Sequence, residues 1–291
     1  MIMFSKLMLG TVQFGMDYGV ANTSGKPSFE TVKAILKEAY DGGINALDTA
    51  PEYGDSEAVI GKALKELGLS EKFQTVTKIP KVPENCDAEK FIEGSLKNSL
   101  KRLQQEVISG ALLHVESDSR YLDILKTMKK KGFIQNAGIS LNTCAHKEDG
   151  ETADCLQIPC SILDHRFDSC FDHGSRHCFV RGAYLQGMLL MPREKVFVKE
   201  VLAKREQLET LGIPMAELSL RYLFAKPGAK SILTGVETLE QLRENLRIAR
   251  MEPLPPDCLA AIDKIVFPPL DEICVSPWMW KRYKEINHLK D

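Results

Sequence analysis

The stretch Ile44-Asn-Ala-Leu-Asp48-Thr-Ala-Pro-Glu52-Tyr53-Gly-Asp55-Ser-Glu57-Ala-Val59-Ile60-Gly61-Lys-Ala63-Leu64-Lys-Glu-Leu67-Gly68 decides how the rest of the chain is read. It opens with a short apolar run after Gly42-Gly43, as a buried strand requires. After a polar turn, Val59, Ile60, Ala63, Leu64 and Leu67 fall on one face at helical spacing, from Asp55 to the stop at Gly68. A strand that feeds directly into an amphipathic helix is half of a parallel βαβ unit.

The same unit recurs in both directions. Upstream, Ser28 stands as N-cap before a stripe of Phe29, Val32, Ile35, Leu36, Ala39 and Tyr40. Downstream, Ile92, Leu96, Leu100 and Leu103 mark a third helix, and residues from about 119 to 132 a fourth. Strand candidates rich in Val, Ile and Leu fall at residues 6–13, 44–48, 74–78, 110–114, 134–139, 155–158, 178–185 and 231–234. Eight parallel strands are the number that closes a barrel. The expected fold class is therefore α/β, a (β/α)8 TIM barrel, with residues 1–291 as a single domain. Two successive helices, 194–211 and 215–225, are parted by Gly212-Ile-Pro214 and supply an extra helix near strand eight, and a tail follows Val266. The segment 140–154, with His146, Lys147, Glu148 and Asp149, is short and polar for a fifth helix. Thr238-Leu-Glu-Gln241 has the spacing of a capping box, which starts a helix just after the last strand.

Forty acidic and 38 basic side chains leave a formal net charge of −2. That balance offers no bias toward a phosphate backbone or an anionic membrane surface, so nucleic acid is not an expected partner. No apolar run approaches the ~20 residues that span a bilayer, and residues 1–10 lack the marks of a signal peptide. The expected location is cytoplasmic, with no membrane partner. The eight cysteines, at 86, 144, 155, 160, 170, 178, 258 and 274, include no Cys-x-x-Cys pair and read as reduced, mostly buried thiols. Cys178 beside His177 is the one pair placed to act otherwise.

In barrels of this class the active site forms at the carboxyl ends of the strands. The polar residues closing the apolar runs are Gln13, Asp48, Lys78, His114, Ser140 and Gln157, with Tyr53 five residues past Asp48. A lone histidine or tyrosine is usually a satisfied structural residue. Here, however, residues 48–64, Thr77-Lys78 and Leu112-Leu-His114 resemble the successive motifs of the aldo-keto reductases, with four residue types in that family's order and strand positions. The resemblance continues through Gly138-Ile-Ser140, Leu156-Gln-Ile-Pro159, Leu163-Asp-His-Arg166, Leu185-Gln-Gly187-Met-Leu, Leu233-Thr-Gly235 and Gln241-Leu-Arg-Glu244-Asn245, so that it covers nearly the whole chain.

It implies an oxidoreductase that reduces an aldehyde or ketone, or oxidises the alcohol, with a nicotinamide cofactor. Such a reduction needs a hydride for carbon and a proton for the oxygen that becomes negative. A phenol with an ordinary pKa of ~10 is too weak an acid by itself. By resemblance, Tyr53 is the general acid, Lys78 lowers its pKa, Asp48 fixes the Lys78 ammonium, and His114 donates a hydrogen bond to the substrate oxygen.

No Gly-x-Gly-x-x-Gly follows any strand and no phosphate loop occurs, so a dinucleotide must bind without the Rossmann device. The resemblance places Ser140, Asn142 and Gln157 on the nicotinamide amide. It places the helix after strand eight, with Gly235, Gln241, Glu244 and Asn245, at the adenosine phosphates, where a helix N-terminus favours anions. Family members that grip the 2′-phosphate tightly carry Lys and Arg where this chain has Gly235 and Gln241, while Glu244 and Asn245 are kept. NADP(H) is the favoured cofactor and NAD(H) the alternative, because the missing cations weaken discrimination for the phosphate. Arg181 falls near where relatives set an aromatic ring against the nicotinamide. A guanidinium stacked there and a surface ion pair are its two readings.

Only four residues separate His114 from the helix expected at Ser119, which implies an open substrate mouth. With the extra loop at residues 17–25, that mouth suits a sugar or sugar conjugate better than a small aldehyde. Trp278 and Trp280 in the tail are either substrate contacts or packing on the barrel wall. The six histidines, at 114, 146, 165, 173, 177 and 288, form no His-x-His pair at a strand end and no His-Glu-x-x-His helix, so no metal is expected. The rival to an enzyme is a cofactor-binding regulatory or sensor barrel with little turnover. The motifs carry no signature of oligomeric state.

Overall fold

The computed structural model describes residues 4–146, 148, 151–172 and 176–289. Among these residues eight parallel strands pair in chain order, and β1 closes on β8. The strands are β1 (Leu7–Gly10), β2 (Ala46–Asp48), β3 (Gln74–Ile79), β4 (Gly110–Leu113), β5 (Ala137–Ser140), β6 (Cys155–Pro159), β7 (His177–Arg181) and β8 (Ser231–Gly235). Around them run α1 (Val12–Gly15), α2 (Phe29–Asp41), α3 (Ser56–Leu67), α4 (Ala88–Leu103), α5 (Leu122–Lys130), α6 (Lys199–Glu209), α7 (Met215–Ala225), α8 (Leu239–Ala249), α9 (Pro256–Val266), α10 (Glu272–Val275) and α11 (Trp280–Ile286). The expected (β/α)8 barrel forms, with the extra helix before β8 and the helical tail after it. No helix among the described residues is long and apolar enough to cross a membrane.

The strands are short and apolar because both of their faces are buried. Met8, Ala46, Val76, Leu112, Cys155 and Phe179 point into the barrel and form one cluster. Their chain neighbours Leu9, Leu47, Ala111 and Leu113 belong to a second cluster against the helices, as the two-residue strand period dictates. At Gly138 a Cβ would lie 2.3 Å from the Cys155 carbonyl and 2.6 Å from Leu112 Cδ2, so only glycine lets β4 and β6 approach there.

Local signals set the helix ends. The Ser28 side chain accepts from Thr31 N–H at 3.1 Å, and Asp87 caps α4 from Lys90 N–H at 3.1 Å. Gly68, at φ +67, ends α3 in the left-handed conformation. At α8 the Thr238 hydroxyl accepts from Gln241 N–H, and Gln241 Oε1 accepts from Glu237 N–H, one residue before the position that an ideal capping box would use.

Several boundaries differ from the sequence reading. Residues 11–13 leave β1 because both the N–H and the hydroxyl of Thr11 donate to the Asp48 carbonyl, turning the chain into α1. Extended pairing along the strand expected at 134–139 begins only at Ala137, with Ile134 in an isolated bridge to Ile108. The strand expected to reach 185 stops at Arg181, since Gly182, Leu185 and Gln186 take positive φ values. The helix expected from 194 starts at Lys199, after a 3-10 turn over Arg193–Lys195. Among the described residues between β5 and β6 the chain forms a 3-10 turn, Cys144–His146, where a fifth helix was expected. Residues 1–3, Lys147, Asp149 and His173, which entered the sequence reading, lie outside the described residues.

Glu57 shows how the helical layer is tied to the barrel. It is almost fully buried, accepts from the Thr77 hydroxyl of β3 at 2.6 Å and pairs with Arg102 of α4 at 2.6 Å. One carboxylate thus joins α3, β3 and α4. Glu57→Ala would leave the Thr77 donor and the guanidinium without their acceptor, costing about 1–3 kcal/mol. A lowered urea midpoint relative to the parent protein is the expected result.

Candidate active site

Asp48 ends β2 and Lys78 stands next to last in the neighbouring β3, at the carboxyl rim of the barrel. Their side chains are 5% and 1% exposed, and Lys78 Nζ donates to Asp48 Oδ1 at 2.7 Å and to the Thr49 carbonyl at 3.0 Å. Gln157 of β6 reaches across the barrel to donate to the same Asp48 Oδ1 at 2.6 Å. The Lys78 ammonium lies 4.7 Å from the centre of the Tyr53 ring. Burial alone would lower the Lys78 pKa, but Asp48 and Tyr53 together outweigh it and the net shift is upward, so the ammonium stays charged.

Burial also dominates at Tyr53 and raises its pKa, against the pull of the Lys78 charge. The expected net lowering is thus corrected: in this structure the phenol is held in its protonated form, because desolvation of the phenolate exceeds the attraction of the ammonium. Tyr53 is fixed by crowding as well as by charge. A Cβ on Gly15 would fall 1.7 Å from the Tyr53 carbonyl oxygen, and Gly54 next to it takes φ +59. The Ser56 hydroxyl then locks this turn to the Thr11 carbonyl at 2.8 Å.

His114 follows β4 and sets its ring edge-on to Tyr53, with the centroids 6.1 Å apart. Its Nδ1 is hydrogen-bonded to the Glu52 carboxylate. Burial and the charge on Lys78 lower its pKa, and Glu52 opposes them. Asp48, Tyr53, Lys78 and His114 are therefore brought together, as the motif order anticipated.

Two cavities meet at this point. A cleft of about 850 Å³ runs from Tyr53 toward the start of α8, and a mouth of about 830 Å³ opens above His114; Tyr53, Gln157 and Arg181 line both. Of the residues read as cofactor contacts, Gly235, Gln241, Glu244 and Asn245 line the cleft, while Ser140 and Asn142 line the mouth. Asn245 is held by the Tyr184 hydroxyl at 2.9 Å, and Glu244 is paired with Arg247. The Arg181 guanidinium is turned inward, bonding the Leu141 carbonyl at 2.9 Å and Asn142 Oδ1, with Trp278 on one side. Its surface ion-pair reading falls away.

The tail tryptophans divide. Trp280 is 4% exposed, packs edge-on to Phe197 and donates to the Cys274 carbonyl, whereas Trp278 is 43% exposed at the mouth. His177 and Cys178 sit at the opposite end of the barrel from Tyr53. His177 is bonded to Ser231 and pushed down to about 4 by burial, and burial pushes the Cys178 thiol up, so the pair is not an activated nucleophile.

Some lining residues escaped the sequence reading. Gln13 was noted as a strand end, yet it lies in α1 with its Oε1 buried and without a partner in the cleft, and its amide fills the space a side chain at Gly235 would need. Tyr18 bonds Gln186 at 2.8 Å, and Ala21 packs on Gly187, so the loop after α1 straps over the cleft. The signal for Glu52 was present, one residue before Tyr53, but nothing in the sequence ties it to His114.

Residues 6–266 match the Aldo/keto reductase family, and the chain belongs to it. It is thereby one of a family of oxidoreductases acting on carbonyl and alcohol groups with NAD(P)(H). It is 26% identical over 266 residues to the Bacillus subtilis protein described as uncharacterized oxidoreductase YqkF, covering 79% of this chain and 85% of the relative. It is 25% identical over 299 residues to the L-galactose dehydrogenase of Arabidopsis thaliana, covering 90% and 92%. Its fold resembles the holo form of an aldo-keto reductase from Bacillus halodurans, with a TM-score of 0.76, 24% identity and coverage of 92% and 94%.

Proposed function

We propose that this protein is an NAD(P)(H)-dependent oxidoreductase that interconverts a carbonyl group and its alcohol, with Tyr53 as the proton-carrying residue. The observation that carries this reading is the Tyr53 ring set against the Lys78 ammonium, itself bound by Asp48, where cleft and mouth meet. A nicotinamide cofactor, when bound, supplies or accepts the hydride. The cleft suits such a group: the buried Oε1 of Gln13, a residue of its lining, has no protein partner and is free to accept from a donor bound there. Gln157, Arg181, Gly235, Gln241, Glu244 and Asn245 would hold it, with Ser140 and Asn142 reaching in from the mouth.

The residues divide the remaining work. Tyr53, kept protonated by burial, gives its proton to the oxygen of a carbonyl substrate, and the charged Lys78 stabilises the phenolate left behind. Asp48 keeps Lys78 charged and in place. His114 orients the substrate oxygen from the other side. The presence of all four favours turnover over a purely regulatory barrel.

The mouth is read as a site for a sugar or sugar conjugate. It combines the exposed Trp278 face, the amides of Asn142 and Gln186, and the cations Arg181, Lys281 and Lys284, more surface than a small aldehyde would cover. At the far end of the cleft, Glu237, Glu240 and Glu244 stand near Gln241, with Lys195 also on the wall. We read NADP(H) as the favoured cofactor, with NAD(H) accepted as well because a 2′-phosphate meets no guanidinium at 241.

Tyr53→Phe should lower kcat for any accepted carbonyl by about 100- to 10,000-fold, with dinucleotide binding unchanged; turnover close to that of the parent would refute the assignment. Gln241→Arg should tighten NADPH relative to NADH by about tenfold or more, the worth of one charge-assisted hydrogen bond, read by fluorescence titration. In a turnover panel of simple aldehydes, free aldoses and nucleotide sugars, the sugar arms should give the higher kcat/KM. Uniformly better activity on small aldehydes would remove the sugar reading.

A further inference from the structure

The Arg181 guanidinium stands where cleft and mouth meet, with no carboxylate bonded to it among the described residues. Its Nη2 donates to the Leu141 carbonyl and to Asn142 Oδ1, both uncharged acceptors, and no described residue accepts from its Nε–H or from either Nη1–H. The acids whose charge reaches it, Asp164 and Asp48, are engaged elsewhere. Asp164 is bonded through both oxygens to Arg166 at 2.8 Å, and Asp48 is bonded to Lys78 at 2.7 Å. Burial is the strongest influence on Arg181 and pulls its pKa down, yet a guanidinium is basic enough to stay charged. A cation withdrawn from water is costly until an anion joins it. Tying β7 to the loop after β5 would not require that charge, since a neutral side-chain amide also has two hydrogens to give.

The mouth repeats this bias. Arg181, Lys281 and Lys284 face a single lining carboxylate, Glu52, which is already bonded to the His114 ring. That positive excess belongs to a chain whose formal net charge is −2. The Trp278 ring, centred 5.9 Å from Arg181, walls the cation on one side, and Tyr53 shares both cavities with it. We propose that the mouth is built for an anionic substrate, a carbonyl or alcohol compound with a carboxylate or phosphate group near its reacting carbon, which Arg181 bonds through its remaining hydrogens while Lys281 and Lys284 draw it in. This inference rests on the functional reading above for the reaction and adds to it the charge of the substrate. Stacking uses the face of a guanidinium and hydrogen bonding its edge, so a place beside a nicotinamide leaves those hydrogens available. The carbonyl compound and its alcohol carry the same anionic group, so Arg181 favours both directions alike and leaves the equilibrium unchanged.

Matched substrates isolate the charge. With NADPH, the parent should prefer D-glucuronate or D-glucose 6-phosphate to D-glucose, or D-glyceraldehyde 3-phosphate to D-glyceraldehyde, and the arm with the larger preference identifies the anion. Added salt should raise KM for the anionic member of that pair and leave the neutral one in place, a readout that needs no variant. Arg181→Gln, assayed at saturating NADPH, should cut the anionic-to-neutral ratio of kcat/KM by about tenfold or more, as the loss of a hydrogen bond between charged groups implies. Arg181→Lys should fall between the two. No anionic preference in the parent, or a ratio that Arg181→Gln leaves unchanged, would overturn the proposal. Calorimetry tests the site without turnover, because D-gluconate and D-sorbitol cannot take a hydride from reduced cofactor. The NADPH complex of the parent should bind gluconate about tenfold more tightly than sorbitol, and that of Arg181→Gln should not. The expected difference in a protein with no carbonyl or alcohol turnover sinks the oxidoreductase reading and leaves the anion site standing. Equal use of neutral and anionic substrates sinks the anion site and leaves the oxidoreductase reading in place.

Discussion

The pairing of Lys78 with Asp48 inside the rim of the barrel is the interaction on which the site depends. Two ionised groups that far from water are costly unless each finds its counterpart, and removing one would strand the other at a price of about 3–5 kcal/mol. Asp48 spends its second contact on Gln157 from the far side of the barrel, so one carboxylate oxygen organises residues of β2, β3 and β6. The cation is thereby held 4.7 Å from the centre of the Tyr53 ring, the preorganised placement that the proposed chemistry calls for.

The barrel makes that pairing possible through its short parallel strands. Lumen residues such as Met8, Ala46 and Phe179 fill the interior below, and the polar strand ends gather at the rim above them. Glu57 and Gly15 work one level out. The first ties α3 to β3 and α4, and the second lets the backbone of α1 lie directly against the Tyr53 turn. Motif residues around Tyr53 thus serve placement as much as chemistry.

What could be read in advance follows from how local each signal is. The barrel was legible because apolar runs and helical stripes alternate with a regular beat, and Ser28, Asp87 and Gly68 mark helix ends by chemistry close in sequence. The strand expected from 178 to 185 ran long because the sequence of apolar residues does not reveal positive φ at Leu185 and Gln186. The expected drop in the Tyr53 pKa followed from its cationic neighbour, whereas the opposing burial depends on residues distant in sequence. The same holds for Glu52 and His114, 62 positions apart, and for Gln13 taking the space above Gly235.

The strap that joins Tyr18 to Gln186 and seats Ala21 on Gly187 bridges the cleft while also lining the mouth. Tyr18, Val20 and Gln186 belong to the walls of both cavities, so the two spaces share one partition built from a single loop contact. A substitution at either end of that contact therefore alters both compartments at once, although neither residue belongs to a barrel strand.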